Sequence, residues 1–314
     1  MSKQSGLGAR FLVGGYDISG DVSAIDTIHG GVGMIPGTDI TQSAMARIPG
    51  QRDGSMSFTT YMDPANAHPV LSALPTTDEL MTAMLPPLAI GSAAACTNAK
   101  QVNYDPTRGN DGSLLNKTEG QGNGYGTEWG VLLTPGLRTD TAATNGTGLD
   151  QGAGFSTPSV PASTTPVTNT SPLPATVVIS GGTITFVFVN GVQAGTGDGT
   201  YTVPSGQTIS ITYSAAPTWT WTLQSAFGAQ AYLQVTGFTG TSVTVAVQDS
   251  ADGSSYSAVT GLTFTAATAA PYTQRLATSG SATIRRYLRV ATTGTFSSAT
   301  FAVVLNRNLS ATGF

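Results

Sequence analysis

Residues 242–266, SVTVAVQDSADGSSYSAVTGLTFTA, decide the fold class. Valine alternates with threonine and alanine over 243–247, and a period of two is typical of a half-buried strand. The segment DSADGSS then turns the chain, because Asp, Ser and Gly are the residues that suit a tight turn. A second run of the same kind follows. Similar runs fill the last ninety residues and predict a β-sandwich or jelly roll.

The composition also favours strands over helices. The chain has 314 residues, of which 39 are Gly and 17 are Pro, and only 10% are charged, against roughly 25% in ordinary soluble domains. Gly and Pro disfavour helix interiors. The hydrophobic fraction of 39% is enough for a core, and the formal net charge of −4 argues against a basic face for nucleic acid. We therefore expect a folded, mainly β chain.

The N-terminus and the cysteine content bear on location. The sequence MSKQSGLGARFLV lacks the apolar core of a signal peptide, and no run approaches the roughly 18 apolar residues of a membrane helix. The single cysteine, Cys96, excludes an internal disulfide and a cysteine-based zinc site, and we expect a small buried thiol. The chain is therefore expected to be made in a cytoplasm and to stay or assemble there, without a membrane.

Charge and proline content divide the chain into three segments. Residues 1–150 carry 14 acids and 8 bases, whereas residues 225–314 carry two acids and five arginines. Between them, the proline-rich stretch 152–174 predicts an extended linker. The alternating run TITFVFV, followed by Asn190-Gly191, predicts a small immunoglobulin-like β module. The predicted segments are 1–158, 159–224 and 225–314, with the last either completing the first domain or appended to it.

The first segment is expected to be mostly strand. Residues 50–54 (GQRDG) predict a turn ahead of a strand in which Met56 and Phe58 alternate with polar residues. One short helix is expected from Pro64 to about Leu74, with Asp63 as its N-cap.

No catalytic constellation is found. His68 lies near Asp63, but nothing supplies a Gly-x-Ser-x-Gly nucleophile elbow, so we expect a packing role for His68 and a loop position for His29. The Gly-rich stretches lack the Lys and Ser/Thr of a phosphate loop. No catalytic residue and no cofactor are predicted, and the chain is not expected to be an enzyme.

Two groups of acids are weighed as cation sites. Asp17, Asp21 and Asp26 are four and five residues apart, which places them on no common face, so solvated or interface acids are the simpler interpretation. Asp249 and Asp252 in DSADGSS could hold calcium in a lectin-like domain, but a β-turn uses the same residues for hydrogen bonds alone. No metal is predicted.

Arg285, Arg286 and Arg289 form a positive group near the C-terminus. Such a group could contact DNA phosphate, or it could pair with acids of residues 1–150 in the same or a neighbouring chain. The opposite charge balances of the two segments, −6 and +3, favour pairing. The three arginines are therefore our candidates for contacts between subunits.

The most unusual feature that the sequence predicts is a set of unprotected sheet edges. Solitary β proteins protect their edges with Lys and other charges. This chain has three lysines, Lys3, Lys100 and Lys117, and none in the last 197 residues. Its strands are therefore expected to pair with copies of the same chain, and head-to-tail contacts of that kind close into rings or continue as filaments.

Several passages together resemble the major tail tube protein of long-tailed, non-contractile bacteriophages (siphoviruses), particularly those of actinobacteria. They cover most of 10–150 and 226–308, and their order along the chain carries the resemblance more than any single motif. Residues 159–224 depart from it and look like a small inserted β module. The matching passages are GGYDISGDVSAIDTI, ARIPGQRDGSMSFTTYMDPANAHPVLSALP, KQVNYDPTRGNDGSL, GNGYGTEWGVLLTPGLRTDTAATNGTGLD, AYLQVTGFTGTSVTVAVQDSADG and RRYLRVATTGTFSSATFAVVLNRN.

The resemblance implies a β-sandwich or barrel tail-tube fold with one short helix, whose copies form hexameric rings around a joint inner β-barrel. Stacked rings would form the virion's conduit for double-stranded DNA, assembled in the host bacterial cytoplasm. Implied partners are further copies, the tape measure, tail terminator and tail tip proteins, and DNA that passes without specific binding. An acidic bore suits this role, because Lys and Arg contacts would hold phosphate. The candidate lumen-facing acids are Asp17, Asp21, Asp26, Asp53, Glu119 and Glu128.

Other expectations concern ordering and an alternative function. Residues 1–9, 30–43 and 86–97 are candidates for segments that order when rings stack. In the inserted module, Trp219 and Trp221 are expected in the core, with a carbohydrate-binding shelf as the alternative. The rival interpretation of the whole chain is a carbohydrate-binding jelly-roll adhesin or a capsid decoration protein, because VAVQDSADGSSYSAVTG followed by RRYLRV resembles discoidin-like domains.

Overall fold

The computed structural model of the chain describes residues 5–41, 43–75 and 77–309, which are mainly β with one short helix, α1 (Ala67–Leu71). The first strands are β1 (Arg10–Val13), β2 (Tyr16–Asp17), β3 (Val22–Pro36), β4 (Arg47–Tyr61), β5 (Glu79–Met84), β6 (Ala93–Arg108), β7 (Leu114–Gly122), β8 (Glu128–Leu132), β9 (Arg138–Asp140) and β10 (Leu149–Asp150). Those of the middle segment are β11 (Val167–Thr168), β12 (Ala175–Ser180), β13 (Thr183–Val189), β14 (Val192–Gly195), β15 (Gly199–Val203), β16 (Thr208–Ala215) and β17 (Thr218–Ser225). The last are β18 (Ala229–Ser250), β19 (Ser257–Thr263), β20 (Tyr272–Ala277), β21 (Ile284–Arg285) and β22 (Tyr287–Arg307).

One sheet of 14 strands joins the first and last segments. β18 and β22 lie antiparallel over most of their length, with Ala229 opposite Arg307 at one end and Ser250 opposite Tyr287 at the other. β22 also pairs with β8, β9 and β10. The last segment therefore completes the sheet of the first. Among the described residues, no sheet closes into a barrel.

Alternation in the last segment determines which side chains enter the core. The valines of 243–247 are buried, as the pattern predicts, and so are the odd-numbered residues of 301–305. Ala302 and Val304 between them are buried as well, because the sheet is covered on both faces there. On that second face Val304 packs in one cluster with Cys96 from the first segment.

β3 and β4 form a longer hairpin than the sequence predicts. Residues 50–54, expected to turn, instead continue β4 opposite β3, with Gly30 paired to Gly54. Met56 and Phe58 are fully buried further along β4, as predicted. The Asp-Gly pair at 53–54 thus belongs to a strand, because the hairpin connection comes earlier in the chain, between Pro36 and Arg47.

The helix α1 is also shorter than predicted. It begins at Ala67, because the carboxylate of Asp63 is used in a turn, where it accepts a hydrogen bond from the Ala65 amide. The amide of Ala67 instead donates to the carboxylate of Asp21, at 3.1 Å. Asp21, and not Asp63, therefore supplies the side-chain acceptor at the helix N-terminus, while the main-chain carbonyl of Asp63 accepts from the His68 amide.

The inserted module is a sandwich of two four-stranded sheets, β11-β16-β13-β14 and β15-β12-β17-β21. Asn190 and Gly191, with φ angles of 51° and 77°, form the predicted two-residue hairpin turn. β21 comes from the last segment and pairs Arg285 with Gln224. The second sheet of the module is thus completed by a strand outside 159–224.

The proline-rich linker packs against the module. The indole Nε1 of Trp219 donates to the carbonyl oxygen of Pro158 at 2.8 Å. Phe155 lies against Trp221, with ring centroids 6.0 Å apart. The linker contains turns, among them one at Thr164 with a φ of 71°, and it packs on the module through Pro158 and Phe155.

Two of the segments expected to order on stacking already carry structure in the single chain. Residues 30–36 are part of β3, and 93–97 are part of β6. Residues 1–4 of the N-terminal arm and Gln42 lie outside the described residues. In the described ranges, no helix has the length and apolar character needed to cross a membrane.

Candidate functional site

Four strands lie side by side in the order β3-β4-β7-β6, and every neighbouring pair is antiparallel. This part of the large sheet is called the meander below, although its strands are not in chain order. One row across it reads Thr27, Ser57, Glu119 and Asn103. The adjacent row contains Phe58, which is fully buried. Because successive side chains of a strand point to opposite faces, the meander has one core face and one polar face.

The polar face of the meander is predominantly acidic. Thr59 donates its hydroxyl to Asp26 at 2.9 Å, and the Asn103 amide donates to Asp105 at 2.7 Å. At the rim, Lys100 is ion-paired with Asp78 at 2.9 Å. The side chains of the face include Asp26, Thr27, His29, Asp53, Ser55, Ser57, Thr59, Asn103, Asp105, Lys117, Glu119 and Gln121. Four carboxylates thus share this face with Lys117 and, at the rim opposite Gln121, with the ion-paired Lys100.

The two outer strands of the meander have open edges. β3 pairs with β4, and β6 from Lys100 onward pairs with β7; in the described ranges neither has a strand on its other side there. Because the meander has four strands that alternate in direction, β3 and β6 are antiparallel. A second copy, rotated beside the first, can therefore place its β3 against β6 and continue the antiparallel order.

Beyond Gly54 the β3–β4 hairpin leaves the sheet as a two-stranded ribbon, residues 30–36 paired with 47–54. A Cβ at Gly54 would clash with the main chain of Thr127, so glycine allows the ribbon to cross this loop closely. Seven residues at about 3.3 Å each give the ribbon a reach of roughly 23 Å. Its exposed apolar side chains include Met34 (61% exposed), Ile35 (54%) and Ile48 (56%), and the loop that joins its two strands adds Ile40 and Met45.

The six acids predicted to face a lumen fall into two groups of three in the structure, one on the polar face and one elsewhere. Asp26, Asp53 and Glu119 lie on the polar face. Asp17 instead forms an ion pair with Arg10 at 2.8 Å, Asp21 binds the start of α1, and Glu128 is buried. These last three are not on the polar face, because their carboxylates serve contacts within the chain. Sequence reasoning missed Asp105 and Lys117, although the alternation of NKTE at 116–119 carried the signal for Lys117.

Glu128 belongs to a buried charged cluster. It accepts hydrogen bonds from Tyr232 and, at 3.1 Å, from Arg275, whose guanidinium stacks 3.6 Å from the centroid of the Tyr125 ring. Burial raises the pKa of Glu128, and the Arg275 charge opposes this rise. The cluster connects β8 to β20, so it ties the first segment to the last.

The three arginines do not form one free patch. Arg286 makes a bidentate ion pair with Asp150, at 2.6 and 2.8 Å, which lowers the pKa of Asp150. The amide of Arg285 donates to Asp249, and Arg289 donates to Gln248 at 2.7 Å. Pairing with an acid of 1–150 occurs for Arg286, but within one chain. Arg286 is therefore not available as a contact between subunits.

The two tryptophans of the module lie in its core. Each is 7% exposed, and their rings meet edge to face with centroids 5.4 Å apart. The core interpretation fits this placement, whereas a carbohydrate shelf needs exposed ring faces. Trp219 and Trp221 therefore do not form the glycan shelf that was the alternative prediction.

The remaining candidates have structural roles. His68 Nδ1 lies 2.6 Å from the Tyr104 hydroxyl, consistent with packing, whereas His29 lies in β3 and not in a loop. Burial raises the pKa of the Cys96 thiol well above its usual range. Asp252 accepts from the amides of 254 and 255, as a turn residue does. Within the described ranges, no group of three or more His, Cys, Asp or Glu could hold a metal.

No family model matches the chain, and no curated protein matches it in sequence. The features of the chain that bear on its function are therefore the meander, its open edges and the ribbon.

Proposed function

We propose that this chain is a structural virion protein whose copies join edge to edge into rings, and that the rings stack into a phage tail tube. The observation that carries the proposal is the four-stranded meander with a polar face and two open, mutually antiparallel edges. In this arrangement β6 of one copy pairs with β3 of the next. The joint sheet closes on itself and removes every open edge.

The width of the joint barrel supports a conduit. Six copies of a four-stranded meander give about 24 strands, and barrels of 16–18 strands already enclose a water-filled channel. With strands about 4.8 Å apart and tilted about 40°, the barrel diameter is roughly 48 Å between backbones. The polar face lines this channel, because the opposite face is already packed in the core.

The charge of the polar face suits passage of a polyanion. The four carboxylates of the face outnumber Lys117, and Lys100 at the rim is paired with Asp78, so the channel wall repels phosphate instead of releasing its counterions. The ribbon, with its exposed Met34 and Ile48, supplies apolar contacts to a neighbouring ring. The rings of Trp219 and Trp221 are buried, so they offer no carbohydrate shelf on the inserted module.

Disulfide crosslinking tests the proposed edge contact. One cysteine replaces Ala24 on β3, and a second replaces Asn103, Asp105 or Thr107 in turn on β6, because the register between copies selects one position. We expect one combination to give an oxidation-dependent ladder that ends at the ring number. Ala24→Cys combined with Val192→Cys on the module is the control. Monomers only, from all three combinations at concentrations where the protein assembles, would rule out this contact.

A further inference from the structure

An apolar groove of about 730 Å³ runs beneath β3, on the side of the meander opposite the polar face. The apolar side chains that line it include Leu7, Val22, Ile25, Ile28, Leu85 and Trp129. The three of β3 pack against the core yet are only partly buried, and Trp129 is 49% exposed. Arg10 also lines the groove, but it is already ion-paired with Asp17 at 2.8 Å. The groove therefore suits an apolar occupant.

Leu74, three residues beyond the end of α1, is both exposed and held in an unfavourable backbone conformation. Its φ angle is 44°, in the left-handed region that favours glycine over a side chain as large as leucine. The residue is 47% exposed, so burial within the chain does not offset the strain. Backbone strain of this kind is concentrated at functional positions. Both observations indicate that the Leu74 side chain makes its contact outside its own chain.

The helix α1 places Leu74 beneath the open edge of β6. The side-chain amide of Gln101, on β6, donates to the carbonyl oxygen of Leu71 at 2.7 Å, and His68 contacts Tyr104 of the same strand at 2.6 Å. The end of α1 is thus held under the part of β6 that, in the described ranges, has no strand on its outer side. Leu74 and the groove lie on the same side of the meander, at its opposite edges.

The two edges are matched in height along the strands. The row of paired residues that contains Gln101 runs through Gly120 and Met56 to Ile28, which lines the groove. Three strand spacings, roughly 14 Å, separate β6 from β3, so Leu74 does not reach the groove of its own chain. When β6 of one copy pairs with β3 of the next, however, the undersides of these two strands become neighbours.

We propose that the groove beneath β3 receives Leu74 of a second copy, the one whose β6 extends the sheet. This inference rests on the proposed function, because it needs the contact between β3 and β6. Main-chain hydrogen bonds between two edges allow several registers, whereas a leucine seated against Ile25 and Ile28 selects one. Burial of apolar surface on both sides then offsets the strain of Leu74 in the assembled form only.

The variant Leu74→Gly tests this contact in the full chain. Glycine adopts a φ of 44° without strain, which offsets the lost side-chain contacts, so the unassembled variant should unfold close to the wild-type denaturant concentration. Assembly should need about ten-fold more protein, measured by sedimentation of polymers, because the groove loses its apolar occupant. Val178→Ala, at an exposed position of β12 in the module, is the control and should assemble as the wild type does. Wild-type assembly of Leu74→Gly would overturn the proposal.

Disulfide crosslinking shows which surface Leu74 contacts. Leu74→Cys is combined with Ile25→Cys or with Ile28→Cys, and the roughly 14 Å between the two edge strands excludes a bond within one chain. We expect one combination to give oxidation-dependent multimers, and Leu74→Cys with Val178→Cys to give none. If the wild type polymerises and β3 crosslinks to β6 while neither Leu74 combination does, the ring stands and this contact is wrong. A wild type that never polymerises would refute both the ring and this contact.

Discussion

Replacement of Arg275 by methionine tests whether the two ends of the chain form one folded unit. The Arg275 and Glu128 side chains are 10% and 9% exposed, and their ion pair joins β20 to β8. Removal of one partner of a buried pair costs about 3–5 kcal/mol, because the other charge remains buried. The stacking of Arg275 on Tyr125 at 3.6 Å adds about 1 kcal/mol. We therefore expect Arg275→Met to lower the free energy of unfolding by about 4–6 kcal/mol at pH 8.

The cost should depend on pH with a definite sign. Burial raises the pKa of Glu128 in the folded protein, and removal of the Arg275 charge raises it further. The folded state then binds a proton more readily than the unfolded state, so stability falls as pH rises through the raised pKa. At pH 5 Glu128 can take up a proton and become neutral. The penalty of Arg275→Met should accordingly be smaller at pH 5 than at pH 8.

Denaturant unfolding of unassembled protein, followed by far-UV circular dichroism, measures both effects. The double variant Arg275→Met with Glu128→Leu is the control, because it removes the pair together and should recover most of the loss. A loss below about 1 kcal/mol at pH 8 for the single variant would refute the reasoning. So would a double variant as unstable as the single one.

Three further predictions concern assembly and the module. Val102→Lys, on the open part of β6, should prevent polymerisation in electron micrographs, whereas Val192→Lys on the module should not; equal assembly of both would contradict the edge contact. Trp219→Ala should destabilise the module by about 3–5 kcal/mol, measured from Trp fluorescence during denaturation, and a loss under about 1 kcal/mol would place the indole outside the core. Asp150→Asn should cost about 1 kcal/mol above pH 4 and progressively less as pH falls below that, since Arg286 lowers the pKa of Asp150; a pH-independent cost in urea titrations would contradict this.

Many strands could be predicted from the sequence, because apolar and polar residues alternate along them. The valines of 243–247 and the residues Met56 and Phe58 are buried as their spacing indicates. The turn at Asn190-Gly191 was equally predictable, because its positive φ angles favour these residues. These features depend on neighbours within a few residues.

Long-range contacts explain what the sequence did not predict. Asp21 accepts from the helix amide of Ala67 across 46 positions, so nothing near 63–67 indicated it. Glu128 resembled a surface acid until Arg275 and Tyr232, more than a hundred residues away, covered it. Two of the six candidate acids, Asp21 and Glu128, are engaged by such distant partners. The partners of Glu128 are brought near by the pairing of β18 with β20 and of β22 with β8.

Electron cryomicroscopy of the polymerised protein tests most directly whether the meander is completed by other copies. We predict tubes of uniform width whose inner wall is a continuous antiparallel barrel, with β6 of each subunit hydrogen-bonded to β3 of the next. Asp26, Asp105 and Glu119 should face the bore. A tube whose bore is lined by the inserted module, or a chain that stays monomeric at high concentration with both edges open to solvent, would contradict this prediction.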